Sequence, residues 1–121
     1  MDVSVVMPVY NEREALRESL GRVLETGIPG EVIIVDDGSV DGTRDVLKDI
    51  EQSHRDACVL KVVYQPKNQG KGAAVRRGFQ EASKSILIIQ DADLEYNPSE
   101  YMTLITPILE GKADVVYGSR F

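Results

Sequence analysis

Three carboxylates fall within five residues in Asp91-Ala92-Asp93-Leu94-Glu95, directly after the apolar run Ile86-Leu87-Ile88-Ile89. A run with no polar residue reads as a strand buried on both faces of a parallel sheet. Open α/β sheets bind their ligands outside the carboxyl ends of such strands. Carboxylates this crowded repel one another unless a cation stands between them. Hard oxygen donors at this density suit Mg2+ or Mn2+, which commonly shares its shell with a substrate diphosphate. An exposed acidic turn would show the same residues, and position alone does not separate the two readings.

Other strand ends carry polar residues as well. Pro8, Tyr10, Asn11 and Glu12 follow the first apolar run, Asp36-Asp37-Gly38-Ser39 the second, and Gly118-Ser119-Arg120 the last. Asp36 and Asp37 can accept N–H groups of a nucleobase or hydroxyls of a ribose, whereas a plain turn that caps the next helix needs only Ser39 or Asp41. Tyr10 either stacks on a base or packs on the first helix. Asn68-Gln69-Gly70-Lys71-Gly72 precedes a helical segment with Arg76 and Arg77 one turn further on. Glycines and a helix N-terminus favour a phosphate, with Lys71 as its nearest cation. A solvated glycine-rich loop explains the same residues. It is not a Walker A loop, because the spacing differs and no Ser or Thr follows the lysine. The first strand also lacks a GxGxxG turn, which argues against a dinucleotide-binding dehydrogenase.

The elements that position these residues are legible from periodicity. Strands are expected at 3–9, 31–35, 59–64, 86–90 and 113–117. Leu16, Leu20, Val23 and Leu24 recur at helical spacing, with Gly27 and Pro29 ending that helix. A second helix opens after Asp41 as its cap and shows Val46, Leu47 and Ile50 on one face. A third spans about 71–83 with Ala74, Val75, Phe79 and Ala82. A fourth starts at Pro98 and is interrupted at Pro107. Such alternation predicts an α/β fold: a mostly parallel sheet with helices on both faces. No helix follows the last strand, so the domain looks incomplete and an uncovered apolar face points to self-association.

The 121 residues suffice for one domain with a sizeable core. A net charge of −6 argues against broad binding to nucleic acid or to an anionic membrane surface. No apolar stretch approaches the ~20 residues of a membrane span, and Pro8 and Asn11 interrupt anything resembling a signal peptide. Cys58, the one cysteine, is expected as a core residue without a disulfide, and His54 as a solvated surface residue. Cysteine usage fits a reducing, cytoplasmic compartment.

In order, Val5-Val6-Met7-Pro8-Val9-Tyr10-Asn11-Glu12, Val35-Asp36-Asp37-Gly38-Ser39-Val40-Asp41-Gly42-Thr43, Asn68-Gln69-Gly70-Lys71-Gly72 and Asp91-Ala92-Asp93-Leu94-Glu95 make up a set far more specific than any one of them. Together they resemble a family 2 inverting glycosyltransferase of the GT-A fold, a three-layer α/β/α arrangement. The subgroup they resemble is that of the dolichol-phosphate and other polyprenyl-phosphate mannosyl- and glucosyltransferases, which Arg120 also matches. The resemblance runs over essentially the whole chain.

What the resemblance implies is a hexose passed, with inversion, from a nucleotide sugar of the GDP-mannose or UDP-glucose type to a polyprenyl or dolichyl phosphate. Pro8, Tyr10, Asn11 and Glu12 would line the nucleotide pocket, and Asp37, with Asp36 beside it, would contact base or ribose. Asp91 and Asp93 would bind the donor diphosphate through Mg2+ or Mn2+, with Glu95 a further ligand at a position where the subgroup often has Gln. Arg120 would face the phosphate of acceptor or donor. Relatives continue past this point with acceptor-binding helices. The chain is therefore expected to be the donor-binding part of a larger enzyme, at the cytoplasmic face of a membrane, poor at transfer by itself. A sugar-hydroxyl acceptor would demand a general base further along the chain. A non-catalytic nucleotide-sugar-binding domain stands as the alternative of another class. A sugar-1-phosphate nucleotidyltransferase would need a Gly- and Arg-rich loop where Tyr10-Asn11-Glu12 stands.

Overall fold

The computed structural model describes residues 2–54 and 59–90, and the backbone of 115–117. Strands and helices alternate as β1 (Val3–Val9), α1 (Leu16–Glu25), β2 (Glu31–Asp37), α2 (Thr43–Ser53), β3 (Val59–Gln65), α3 (Lys71–Glu81), β4 (Ile86–Ile89) and β5 (Val115–Tyr117). The expected fourth helix from Pro98, and Cys58, lie outside the described residues.

The strands form one parallel sheet in the order β3-β2-β1-β4-β5. Chain direction through the sheet reverses at β1: β2 and β3 build out on one side, β4 and β5 on the other. Connections that leave neighbouring strands for opposite faces open a crevice at such a switch point, and ligands of open α/β sheets bind there. By that rule the switch point falls between the carboxyl ends of β1 and β4.

Alternation along the strands sorts the core into two layers. Val3, Val5, Met7 and Val9 of β1 and Val32 and Ile34 of β2 pack with Leu16, Leu20 and Val23 of α1 and Leu47 and Ile50 of α2. Val6, Ile33 and Val35 face the other way, toward Ala74, Phe79 and Ala82. The register Val5↔Val32 and Val6↔Ile33 keeps each set on one face. The result is three layers, with α1 and α2 on one face and α3 on the other.

Small residues let α3 lie close to the sheet. A Cβ on Gly78 would stand 2.3 Å from Val6 Cγ1, and Ala74, one turn earlier, is fully buried. At the amino edge, away from the crevice, Glu31 Oε1 accepts from Ser4 Oγ at 2.7 Å and from Ser83 N at 2.7 Å, while Ser83 Oγ donates to Oε2 at 2.9 Å. Lys61 Nζ lies 3.3 Å from Oε2. Burial, the largest influence, pushes the Glu31 carboxyl up. The hydrogen bonds from Ser83, Ser4 and Lys61 together outweigh it and hold the group below the usual carboxylate range. His54, expected in solvent, is half-buried and closes α2 by donating its N–H to the Ile50 carbonyl.

Two strands run longer than periodicity suggested. β2 continues through Asp36 and Asp37, and β3 through Gln65. Ladder pairing explains it: Asp36 sits opposite Val9 on one side and Tyr64 on the other, and Asp37 opposite Gln65. Both aspartates are thus strand residues that point to opposite faces, rather than parts of a turn.

Candidate functional site

At the carboxyl edge, the segment after β1 is stitched to the segment after β2. Asn11 takes a left-handed backbone, φ 52°, which Asn tolerates better than most residues. Its N–H donates to Ser39 Oγ at 2.9 Å, and its Oδ1 accepts from Val40 N at 2.9 Å. Asn11 thus joins the loops that follow β1 and β2. Tyr10 beside it is 46% exposed, so its ring is not used up by packing on α1. Pro8 and Glu12 are half-buried, and the Glu12 carbonyl receives the Leu16 N–H at 2.9 Å, which steers the chain into α1.

Asp41 accepts from Thr43 N at 3.0 Å and from Thr43 Oγ1, while Arg13 N reaches its other oxygen at 3.4 Å. Gly42 (φ 96°) stands between Asp41 and the helix, so Asp41 caps α2 across a glycine rather than from the residue adjoining it. Burial is the largest influence on its carboxyl and upward in direction. The donors from Thr43 and Arg13 outweigh it and leave the group below its usual value.

Asp36 is fully buried on the α2 face. Its Oδ2 receives Arg44 Nε at 2.7 Å and Ser39 N at 3.2 Å. Its Oδ1 is buried and meets no hydrogen-bond donor among the described residues. Arg44 also donates Nη2 to the Gln65 carbonyl and lies over the Tyr64 ring, 5.7 Å from its centroid. The Tyr64 hydroxyl donates to Glu51 Oε1. Burial first, then that hydrogen bond and the Glu51 charge, push the Tyr64 phenol well above its ordinary value.

Asp37 points to the α3 face and is 3% exposed. Its Oδ1 accepts from Gln69 N at 2.8 Å and Gln65 Nε2 at 3.0 Å, and its Oδ2 from Gly70 N at 2.9 Å. The amides of Gln69 and Gly70 both donate to Asp37, which thereby anchors the loop that leads into α3. Lys71 is the exposed first residue of that helix. Gly38 explains why the two loops meet: with φ 76°, its Cα lies so near residues 67–68 that a Cβ would fall 2.4 Å from Asn68 N and 2.6 Å from Lys67 C.

Gln90 N donates to the Val6 carbonyl at 2.9 Å, so the chain is held beside β1 up to the residue before Asp91. Asp91, Asp93, Glu95 and Arg120 lie outside the described residues, among which no group of three potential metal ligands occurs. Among the described helices none is long and apolar enough to cross a membrane.

The reading from sequence overlooked Arg44, Ser39 as a donor to Asp36, and Gln65. Arg44 carried a signal: a cation in the first helical turn opposes the helix dipole and calls for a carboxylate nearby. Nothing in the local pattern marks Gln65.

A family model described as "Glycosyl transferase family 2" matches residues 4–121. Dolichol-phosphate mannosyltransferase of Pyrococcus furiosus is 37% identical over 123 residues, covering 100% of this chain and 34% of that protein. An undecaprenyl-phosphate 4-deoxy-4-formamido-L-arabinose transferase of Pseudomonas aeruginosa is 38% identical, covering 98% of this chain and 35% of that protein. The chain therefore spans about a third of the length of these curated relatives. Among solved structures, a mannosyltransferase of Pyrobaculum calidifontis in complex with GDP-Man and Mn2+ superposes with a TM-score of 0.74 at 29% identity, over 84% of this chain and 30% of that one. Glucosyl-3-phosphoglycerate synthase of Mycobacterium tuberculosis, in complex with Mn2+, UDP and phosphoglyceric acid, gives 0.70 at 26% identity, over 88% of this chain and 38% of that one. The three-layer α/β fold is that of the GT-A glycosyltransferases.

Proposed function

The chain belongs to glycosyl transferase family 2, and from that membership we propose that it forms the donor-binding part of an inverting hexosyltransferase. The donor is a nucleotide sugar of the GDP-mannose or UDP-glucose type, and the acceptor a polyprenyl phosphate. The observation that supports the donor reading is the likeness, at a TM-score of 0.74 and 29% identity, to a mannosyltransferase in complex with GDP-Man and Mn2+. The acceptor reading is supported by similarity along nearly the whole chain to two enzymes named for polyprenyl-phosphate acceptors.

In this reading Tyr10 supplies a ring face for the base, beside Pro8 and Glu12. Asp37, with Asp36 beside it, contacts the base or ribose, and Asn11 lines the same pocket. Lys71 and Arg120 offer positive charge to phosphate oxygens. Asp91, Asp93 and Glu95 are hard oxygen donors that fit Mg2+ or Mn2+, and they follow directly on a strand whose end is held beside β1. Such a metal, when bound, neutralises charge on the departing nucleoside diphosphate. The acceptor phosphate oxygen is already anionic and attacks the anomeric carbon from the side opposite the leaving group, which inverts its configuration. No strong general base is then required, unlike attack by a sugar hydroxyl. The enzyme works at a membrane surface, where a polyprenyl phosphate resides.

Calorimetric titration of GDP, UDP and their sugars, each with Mn2+ and with a chelator, tests the donor reading. Micromolar, metal-dependent binding of one of these families is expected, and absence of binding by both refutes it. Transfer assays with a polyprenyl phosphate and with a free sugar decide the acceptor: product with the free sugar alone overturns the lipid-phosphate reading.

A further inference from the structure

We propose that the outer edge of β3 pairs with the same strand of a second copy of this chain. The two strands run antiparallel about a two-fold axis at Val62, and the two five-stranded sheets become one continuous sheet. This contact is independent of the nucleotide site.

β3 is an outer strand, and among the described residues no strand pairs with its free side. Val59 N–H donates to the Gly30 carbonyl at 3.2 Å, which turns the main-chain groups of Val59 toward β2. By the alternation of a strand those of Lys61 and Val63 follow it, and the N–H and C=O groups of Leu60, Val62 and Tyr64 point outward. Proteins commonly guard such an edge with a proline, a bulge, a short strand or an outward charge. β3 has seven residues, without proline or glycine. Its one charge, Lys61, is drawn inward: Nζ donates to the Glu81 carbonyl at 3.0 Å and lies 3.3 Å from Glu31 Oε2. Val59 is 50% exposed and the residues from Leu60 to Tyr64 are half-buried, so apolar side chains line the edge.

The strand is complementary to itself in one register. Only residues whose main-chain groups point outward can form the hydrogen-bonded pairs of a new antiparallel ladder, each pair exchanging two bonds. An axis at Val62 uses all of them: Val62 pairs with its own counterpart, and Leu60 with Tyr64 of the other copy at either end. An axis at Lys61 would set like charges directly opposite each other. An axis at Val63 would set Leu60 opposite Pro66, which has no N–H to give. With the axis at Val62, Leu60 meets the Tyr64 ring on the face that carries α1 and α2, an aliphatic–aromatic pair of the kind that stabilises sheets. On the other face Lys61 lies opposite Val63, and Val59 opposite Gln65. A chain of net charge −6 repels its own copy wherever carboxylates gather, and β3 contains none. β2 stands between this contact and β1, so the carboxyl ends of β1 and β4 stay clear of it. Antiparallel pairing turns the two carboxyl edges in opposite directions, and a flat membrane then meets one of them at a time.

The contact is one strand wide, so a weak dimer with a dissociation constant on the order of 100 µM is expected. The test is sedimentation velocity and residue-resolved amide hydrogen exchange on the full chain at about 10 µM and about 1 mM, between which the unpaired fraction falls about fourfold at that affinity. The average mass is expected to rise from near that of one chain toward that of two. The amides of Leu60, Val62 and Tyr64 should exchange fast at the lower concentration and at least threefold more slowly at the higher, whereas those of Lys61 and Val63 are slow already at the lower. Val62→Pro removes an outward N–H and no bond to β2, so this variant should fold, as judged by urea unfolding, and stay a single chain at the higher concentration. If Val62→Pro fails to fold, exchange in the unaltered chain decides. A folded Val62→Pro that still pairs overturns the assignment to β3, as does a doubled mass with Leu60, Val62 and Tyr64 exchanging at unchanged rates. A single chain at the higher concentration overturns the pairing itself, and none of these outcomes touches the nucleotide reading.

Discussion

Replacing Gly38 with alanine should cost far more than the same change at Gly27, although both glycines have a positive φ, 76° and 66°. An L-residue in the left-handed region costs about 1–2 kcal/mol, partly offset by about 0.4–1 kcal/mol from a less flexible unfolded chain. Gly27 has nothing within 4 Å of the added methyl, so Gly27→Ala should destabilise by about 1 kcal/mol or less. At Gly38 the methyl would overlap backbone atoms, Asn68 N at 2.4 Å and Lys67 C at 2.6 Å, which no rotamer change can clear. The segment must retreat by about an ångström, and the Asp37 carboxylate then loses or stretches its bonds from Gln69 N and Gly70 N. Hydrogen bonds to a charged group contribute about 1.5–3 kcal/mol each. Gly38→Ala should therefore lose about 3–5 kcal/mol, a large share of the 5–15 kcal/mol typical of a domain. Urea unfolding of both variants, compared at unchanged m, gives the difference directly. A Gly38→Ala value within about 1 kcal/mol of Gly27→Ala would refute the reasoning.

Asp93→Asn should weaken Mn2+-dependent binding of the nucleoside diphosphate at least tenfold, about 1.4 kcal/mol. Equal affinity of the unaltered protein with and without a chelator would exclude a metal at the donor diphosphate. Glu31 predicts a pH dependence. Its folded value is held below the unfolded 4.5, so between the two the unfolded chain binds more protons and stability rises with pH. The Glu31 contribution is thus complete above about pH 5 and lost as pH falls through the depressed folded value. Glu31→Gln should flatten that acid limb of the stability curve, and an unchanged limb would show that the clasp with Ser4, Ser83 and Lys61 does not act through the charge.

Much of this protein is written in its local sequence. Apolar runs bounded by glycine, proline and acidic residues place the strands, and 3.6-residue spacing places α1, α2 and α3, because burial demands those periods whatever the partners are. Polar residues loaded after each strand mark one edge of a parallel sheet, since strands that all run one way put every carboxyl end on the same side. Which acid does what was a tertiary matter. Asp36 and Asp37 are neighbours with identical chemistry, and only the continuation of β2 into both residues turns them to opposite faces. Asp36 shares its face with Val32 and Ile34 and so meets α2 and Arg44, while Asp37 shares its face with Ile33 and Val35 and so meets the loop into α3. Gln65, Gly38 and Gly78 owe their roles to contacts spanning 28 to 72 residues of chain. No local pattern encodes such distances, because they come into being only when the layers close on one another.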